Sequence, residues 1–358
     1  MNERKATTNL WTSTSRRKLL QIAAAGSLGP IILGATKKSG NAKPILGDGE
    51  HKYEVYHDWG ELPEYIHYGN THGICVDSEG NIHIAHTVHW TSDSDDSIVV
   101  FDSRGKFVRS WGKQFKNGAH GLHLEREGKQ DFLYICDTKR RLVTKTTISG
   151  EEVLILGYPK ESRFYYEAIQ GRPPGKYIPT NVAISPNGDI YVADGYGSNY
   201  VLQYSSTGGL KRTFGRTGSA LGELKQPHGI WCDQRGSTPI IVVADRGNKR
   251  IQSFTLDGEH LGIFGGTNLP CHFHEHGGIV VVPDLGARVT LLNRENEVIT
   301  HLGDDSQTDW QETRLLGRQK FTPGKFICPH SACFDHDGNI FVVEFVEIGR
   351  VTKLRRVS

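Results

Sequence analysis

Short runs of alternating apolar and polar residues, each bounded by glycine, asparagine or aspartate, repeat from about residue 51 to the end of the chain. That pattern predicts antiparallel β-strands joined by tight turns. Each unit has the same order. A segment with a histidine opens it, a turn such as Asp77-Ser78-Glu79-Gly80 or Ser185-Pro186-Asn187-Gly188 follows, and an apolar strand then ends in an acid. Those strand ends are Asp137, Asp194, Asp245, Asp284 and Glu344. A second turn and strand come next, as in Arg246-Gly247-Asn248-Lys249-Arg250 before "IQSF", and a last strand ends in glycine ("KFVRSWG", "LKRTFG", "HLGIFG").

The opening segments are Thr71-His72-Gly73, Ala119-His120-Gly121, Pro227-His228-Gly229, Pro270-Cys271-His272 and Pro329-His330-Ser331. A matching segment, Pro179-Thr180-Asn181-Val182, is expected to put Asn181 where the others carry histidine. The steps between marked positions are 48, 61, 47, 44 and 58 residues, enough for one four-stranded sheet each. A sixth glycine-ended strand stands at the front, "YEVYHDWG" over residues 53–60. If it completes the last blade, the ring closes and no sheet edge is left open. The expected fold is therefore an all-β, six-bladed β-propeller over residues 51–358. An unclosed sandwich array is the alternative.

In a propeller these histidines converge on one axis, and convergent imidazoles can hold a metal. The turn after each strand-ending acid falls on the same face. Tyr196 and Arg246 should therefore stand on the rim of the histidine cluster, and the linkers at 158–178 and 304–328 should wall a cleft.

Composition adds two exclusions. A net charge of +2 with 23% charged residues shows no basic stripe, so nucleic acid is not an expected partner. The length alone suggests two domains, but the repeat accounts for it as one. The first forty residues are different. Ser15-Arg16-Arg17-Lys18-Leu19-Leu20 precedes a short, glycine-containing apolar stretch and then a polar run. This order resembles a bacterial twin-arginine export signal, an address rather than a span. It implies a periplasmic or secreted protein, with no membrane span after the signal is removed. Of the six cysteines, Cys75, Cys136, Cys232 and Cys333 read as small buried hydrophobes, while Cys271 and Cys328 lie near the marked histidines.

The strings "IPTNVAISPNGDIYVADGYGSNYVLQYSSTG", "QPHGIWCDQRGSTPIIVVADRGNKRIQSF" and "CPHSACFDHDGNIFVVEF" resemble NHL-repeat propellers. Their order is most similar to that of the peptidyl-α-hydroxyglycine α-amidating lyases. The resemblance implies zinc held by His120, His228 and His330, from alternate blades, with iron or copper chemically possible for the same ligands. It implies Tyr196 as the catalytic tyrosine and Arg246 as an active-site arginine. The implied reaction breaks a carbon–nitrogen bond in a small or peptidyl substrate, giving an amide and glyoxylate. It also implies a calcium ion bound through the backbone of Ile74 and Leu122.

Several positions depart from that family. Thr87 stands where a second arginine is expected, Ser331 replaces an acid that would bind calcium, and Gly197 and Ser253 replace cysteines. His72 and His272, with His86, His89, His274 and His276, enrich the region beyond the family pattern. Two other functions remain open from sequence. One is a metal-dependent hydrolase. The other is an exported, non-enzymatic propeller that grips a peptide, glycan or protein.

Overall fold

A computed structural model describes residues 43–166 and 174–357. The export-like segment lies outside these residues, as does part of the 158–178 linker. Among the described residues no helix is long and apolar enough to cross a membrane.

Six antiparallel sheets form the six blades of a propeller. Their innermost strands begin with Thr71–Val76, Ala119–Glu127, Asn181–Ile184, Pro227–Asp233, His274–His276 and Pro329–Phe334, in chain order. Apolar residues are buried on both faces of the blades, and a separate hydrophobic cluster fills each junction between neighbours. The cluster containing Ile74, Ile84 and Phe101 with Cys333, Phe341 and Val351 joins the first blade to the last. The strands thus have no solvated core face to lose, which explains the near-continuous apolar runs in "IYVAD" and "IVVAD".

The ring closes as the sequence predicts. In the last blade, Arg350–Arg356 pairs with the N-terminal strand Tyr53–His57, register Val55 to Leu354. A further two-residue strand, Ile45–Leu46, extends that sheet, so the folded part begins before residue 51. His57 secures this junction. Its Nδ1 is 2.8 Å from Thr352 Oγ1, and the backbone N–H of Gly324 donates to its Nε2 at 3.0 Å. Burial, with a smaller push from Arg350, lowers its pKa to about 4.

The acids that end the second strands tie the linkers down. Asp245 accepts from the backbone of Lys225 and from Asn248, Arg250 and Gln252. Asp194 accepts from Ile178 N–H, Ser198 N–H and the Tyr165 hydroxyl at 2.6, 2.6 and 2.7 Å. In the first blade His86 takes this place, and its Nδ1 accepts from Val88 N–H.

Inner strands approach their neighbours so closely that side chains are excluded at one position. A Cβ on Gly121 would lie 2.2 Å from the carbonyl oxygen of Thr180, and one on Gly229 2.6 Å from that of Cys271. A Cβ on Gly73 would meet the Leu122 Cβ at 2.5 Å. The obstacles are backbone or rigid core atoms, so the strain has no cheap release.

Two predictions follow from these contacts. The Gly121→Ala variant should lose about 1–3 kcal/mol of stability, seen as a lower melting temperature, because the blade interface must move. An unchanged melting temperature would contradict the close approach. For His57, the folded pKa lies below the unfolded value near ~6.5, so its contribution is complete above that pH and is lost as pH falls toward 4. Denaturant titrations should show the wild type losing up to roughly 3 kcal/mol more than His57→Gln across this window. Parallel pH profiles for the two proteins would refute this role.

Candidate metal and catalytic site

The convergent histidines meet at the axis, on the face where the inner strands begin. His120, His228 and His330 have ring centroids 4.9, 4.8 and 4.6 Å apart in their three pairings. His72 joins them, 4.8 Å from both His120 and His330. The ligand-type atoms of His72, His120 and His330 all lie within 4.8 Å of one another. All four are buried.

Hydrogen bonding divides the four. His120 Nδ1 faces the Thr180 carbonyl at 2.9 Å, His228 Nδ1 that of Cys271 at 2.8 Å, and His330 Nδ1 that of His72 at 2.8 Å. A carbonyl only accepts, so each Nδ1 carries the proton and each Nε2 keeps its lone pair. This is the carbonyl-oriented state in which imidazoles bind metals. His72 has no such bond, and its buried Nδ1 has no partner. The donor chemistry therefore fits a metal at His120, His228 and His330, with His72 beside them and its tautomer unfixed.

Electrostatics agree with neutral ligands. Burial lowers the pKa of His120 to about 4, against the Thr180 bond that raises it. Burial also takes His72, His228 and His330 well below the ordinary value. After burial, the largest remaining influences are Arg246 on His228 and the neighbouring His120 on His72 and His330.

Tyr196 reaches this group from the turn after Asp194. Its hydroxyl is 3.2 Å from both His120 Nε2 and His228 Nε2. Arg246 Nη2 donates to the same oxygen at 3.3 Å, and the guanidinium carbon lies 5.4 Å from the ring centroid. Tyr196 is 36% exposed whereas Arg246 is buried, so the site opens to solvent at the tyrosine. Burial opposes the charge on Arg246, but Tyr196 and Cys271 outweigh it and raise its pKa above the ordinary value. The turn is tightly held: a Cβ on Gly195 would lie 2.0 Å from the Pro227 carbonyl oxygen, and one on Gly197 2.1 Å from Asp194 Oδ1. A cysteine at 197 would not fit this backbone, which accounts for the glycine there.

The ladders correct two expected alignments. Ile230 pairs with Val243 and Pro227 with Asp245, so His228 is the second residue from the start of its segment. In the third blade Val182 pairs with Val192, and in the fifth His274 pairs with Val281 while Pro270 bridges Asp284. Counting from those pairs puts Thr180 and Cys271, not Asn181 and His272, at the histidine position. Asn181 instead caps its own strand, accepting from Val182 N–H at 2.8 Å. His272 lies deeper and its Nδ1 faces the Ala332 carbonyl at 3.2 Å. The proline-led motif contained this information, since Pro-Thr-Asn aligns with Pro-His-Gly without a gap.

His272, His274 and His276 all turn toward the inner strand of the last blade. His274 Nδ1 accepts from Phe334 N–H, and the His276 ring packs 5.6 Å from that of Phe334. His89 lies apart, bonded to Thr91 on an exposed turn. Cys271 replaces the ligand position of its blade and takes a 3.6 Å contact from Arg246 Nη1. All six cysteines are buried and unpaired.

The expected calcium site fits poorly. Ile74 and Leu122 do line an axial cavity of about 210 Å³ with His272. Calcium takes six to eight oxygen ligands, usually with carboxylates among them. Where the third protein ligand is expected, Ser331 offers a neutral, buried hydroxyl without a partner.

No protein-family model matches the chain. Among curated proteins, human NHL repeat-containing protein 3 is 29% identical over 218 residues, 59% of this chain and 59% of that protein. Peptidyl-α-hydroxyglycine α-amidating lyase 1 of Drosophila melanogaster is 25% identical over 345 residues, 85% of this chain and 60% of that protein. A probable lyase of the same name from Caenorhabditis elegans is 23% identical, with 72% of this chain and 70% of that protein covered. The chain thus spans less than two-thirds of the human and fruit-fly relatives. Among solved structures, a streptogramin B lyase superposes with a TM-score of 0.55 at 12% identity, over 86% of this chain and 99% of that one. A putative gluconolactonase gives 0.55 at 14% identity, over 88% and 98%. At such identities these two neighbours support the fold alone. The chain is a six-bladed β-propeller whose sequence relatives are NHL-repeat proteins and peptidyl-α-hydroxyglycine α-amidating lyases.

Proposed function

We propose that this protein is a metal-dependent lyase that cleaves the carbon–nitrogen bond of α-hydroxyglycine at the end of a peptide or of a small N-acyl analogue. One observation carries the reading: three Nε2 lone pairs fixed by carbonyls of the neighbouring blades, with the Tyr196 hydroxyl 3.2 Å from two of them and beside the Arg246 guanidinium. His120, His228 and His330 would hold the metal. Three neutral imidazoles suit zinc, and iron or copper could occupy the same ligands. A Lewis-acidic ion there supplies polarisation of a bound hydroxyl.

The remaining chemistry belongs to the chain. Tyr196, as phenolate, takes the proton of the substrate α-hydroxyl. The electron pair released forms the carbonyl of glyoxylate, the carbon–nitrogen bond breaks, and the nitrogen leaves with that bond's pair. A proton passed back from Tyr196 completes the amide. Arg246 stabilises the phenolate during this exchange, and burial excludes water from its guanidinium. We assign no step to calcium. The 15–40 segment supports export by the twin-arginine route to the periplasm or beyond, which suits a protein that would fold with its metal in place.

Protein purified without a histidine tag should contain about one equivalent of a transition metal, lost in the His120→Ala/His228→Ala variant. It should release glyoxylate from an N-acyl hydroxyglycine. Tyr196→Phe should keep the metal and lower kcat by about 10²–10⁴-fold, the usual loss on removing a general base. Metal-free protein unaffected by the double substitution would instead favour a non-enzymatic propeller. Full activity in Tyr196→Phe would remove the tyrosine from the mechanism.

A further inference from the structure

His72 is the axial histidine that a three-imidazole centre leaves unused. Its backbone is fixed by its neighbours. The Thr71 hydroxyl donates to the Glu344 carbonyl at 2.8 Å, Gly73 lies against Leu122 too closely for a side chain, and the His72 carbonyl accepts from His330 Nδ1 at 2.8 Å. The ring is not tied in this way. It is buried, its Nδ1 has no partner, and no described residue hydrogen-bonds to either of its nitrogens. Two other buried histidines, His83 and His86, also have one orphaned nitrogen, but each engages through the other, with Asp77 and with the Val88 N–H. A neutral imidazole always keeps one lone pair, so His72 presents a lone pair that the fold does not use.

The geometry gives that lone pair a destination. The ring centroids of His72, His120 and His330 form a triangle with every side 4.8 Å. His120, His228 and His330 form a second triangle, with sides of 4.9, 4.8 and 4.6 Å. The two share the edge from His120 to His330, so an ion bound by that pair lies beside both remaining rings. The donor atoms point the same way. Among the described residues, the group of three ligand-type side chains whose donor atoms lie within 4.8 Å of one another contains His72 and not His228. Tyr196 stands next to His120 and His228, whereas the Phe345 ring packs 5.4 Å from His72 and 6.0 Å from His330. His72 therefore meets the cluster away from the tyrosine.

We propose that His72 is a fourth protein ligand of the ion held by His120, His228 and His330. This rests on the metal reading above and not on the lyase chemistry. No carbonyl fixes the His72 tautomer, so either nitrogen can carry the lone pair that turns to the ion. Coordination gives a use to a ring that is otherwise buried with its polar atoms unmatched, an arrangement that costs stability. The first blade then contributes twice, through the His72 carbonyl that orients His330 and through the His72 ring itself. A zinc centre with four protein ligands can still take a hydroxyl by expanding to five.

Metal binding by the whole chain, stripped and reloaded with zinc or cobalt(II), tests this without reference to turnover. Competition with a chromophoric chelator should show zinc bound at least about tenfold more weakly by His72→Ala and by His72→Phe, since loss of even an outer-shell partner costs about that much. Cobalt(II) reports the ligand set. Added imidazole should leave the visible spectrum of the wild type unchanged. In His72→Ala it should enter the vacated space, restore the wild-type band and recover zinc affinity, and in His72→Phe, where a ring fills that space, it should do neither. Melting curves of the metal-free proteins show that each variant folds. Zinc affinity and a cobalt spectrum unchanged in His72→Ala would overturn the proposal and leave the three-histidine centre standing. A wild-type spectrum that shifts with imidazole would do the same. Wild-type protein that binds neither ion would overturn both. Zinc lost in His72→Ala but retained in His228→Ala would keep His72 as a ligand and remove His228 from the set.

Discussion

The contact between neighbouring inner strands governs both the fold and the site. Glycines at 73, 121 and 229 let one strand approach the next until a Cβ would be 2.2–2.6 Å from its neighbour. At that distance the carbonyls of Thr180, Cys271 and His72 fall within reach of the imidazole one residue before the glycine or serine of each segment. The same approach that packs the blades therefore fixes the tautomers of His120 and His228, while His330, followed by Ser331, reaches the His72 carbonyl without a glycine. A fold held by interblade backbone contacts has, as a by-product, three lone pairs aimed at its axis.

The site is asymmetric for reasons that lie in the blades. Four of the six equivalent positions carry histidine, one carries Cys271 and one Thr180. His72 shares the geometry but lacks an accepting carbonyl, so its Nδ1 is buried without a partner. An orphaned polar atom of this kind costs on the order of 1–3 kcal/mol unless a ligand or water satisfies it. It is thus a natural point at which this propeller departs from a three-histidine plan. Arg246, which donates to the Tyr196 hydroxyl on one side of the cluster, extends the asymmetry outward.

Much of this was legible in the chain. Strand-ending acids, glycine turns and the front strand "YEVYHDWG" carry local signals that the ladder of antiparallel pairs reproduces, including closure through Val55 and Leu354. Tyr196 and Arg246 were legible because each follows an acid that ends a blade's second strand, and topology puts those turns on the histidine face. The misaligned positions, Asn181 and His272, were chosen by residue chemistry and not by counting from the proline. The strand register follows the count.

The sequence by itself determined the number of blades, the closure and the four histidines that meet at the axis, since each depends on patterns of a few consecutive residues repeated around a ring. Only the tertiary structure decided which imidazoles share a tautomer and which one is left without a partner. Those depend on single carbonyls and rings supplied by a different blade, at separations of 43, 60 and 258 residues for the three fixed histidines. Contacts that distant are set by how the blades pack, and no local pattern encodes them.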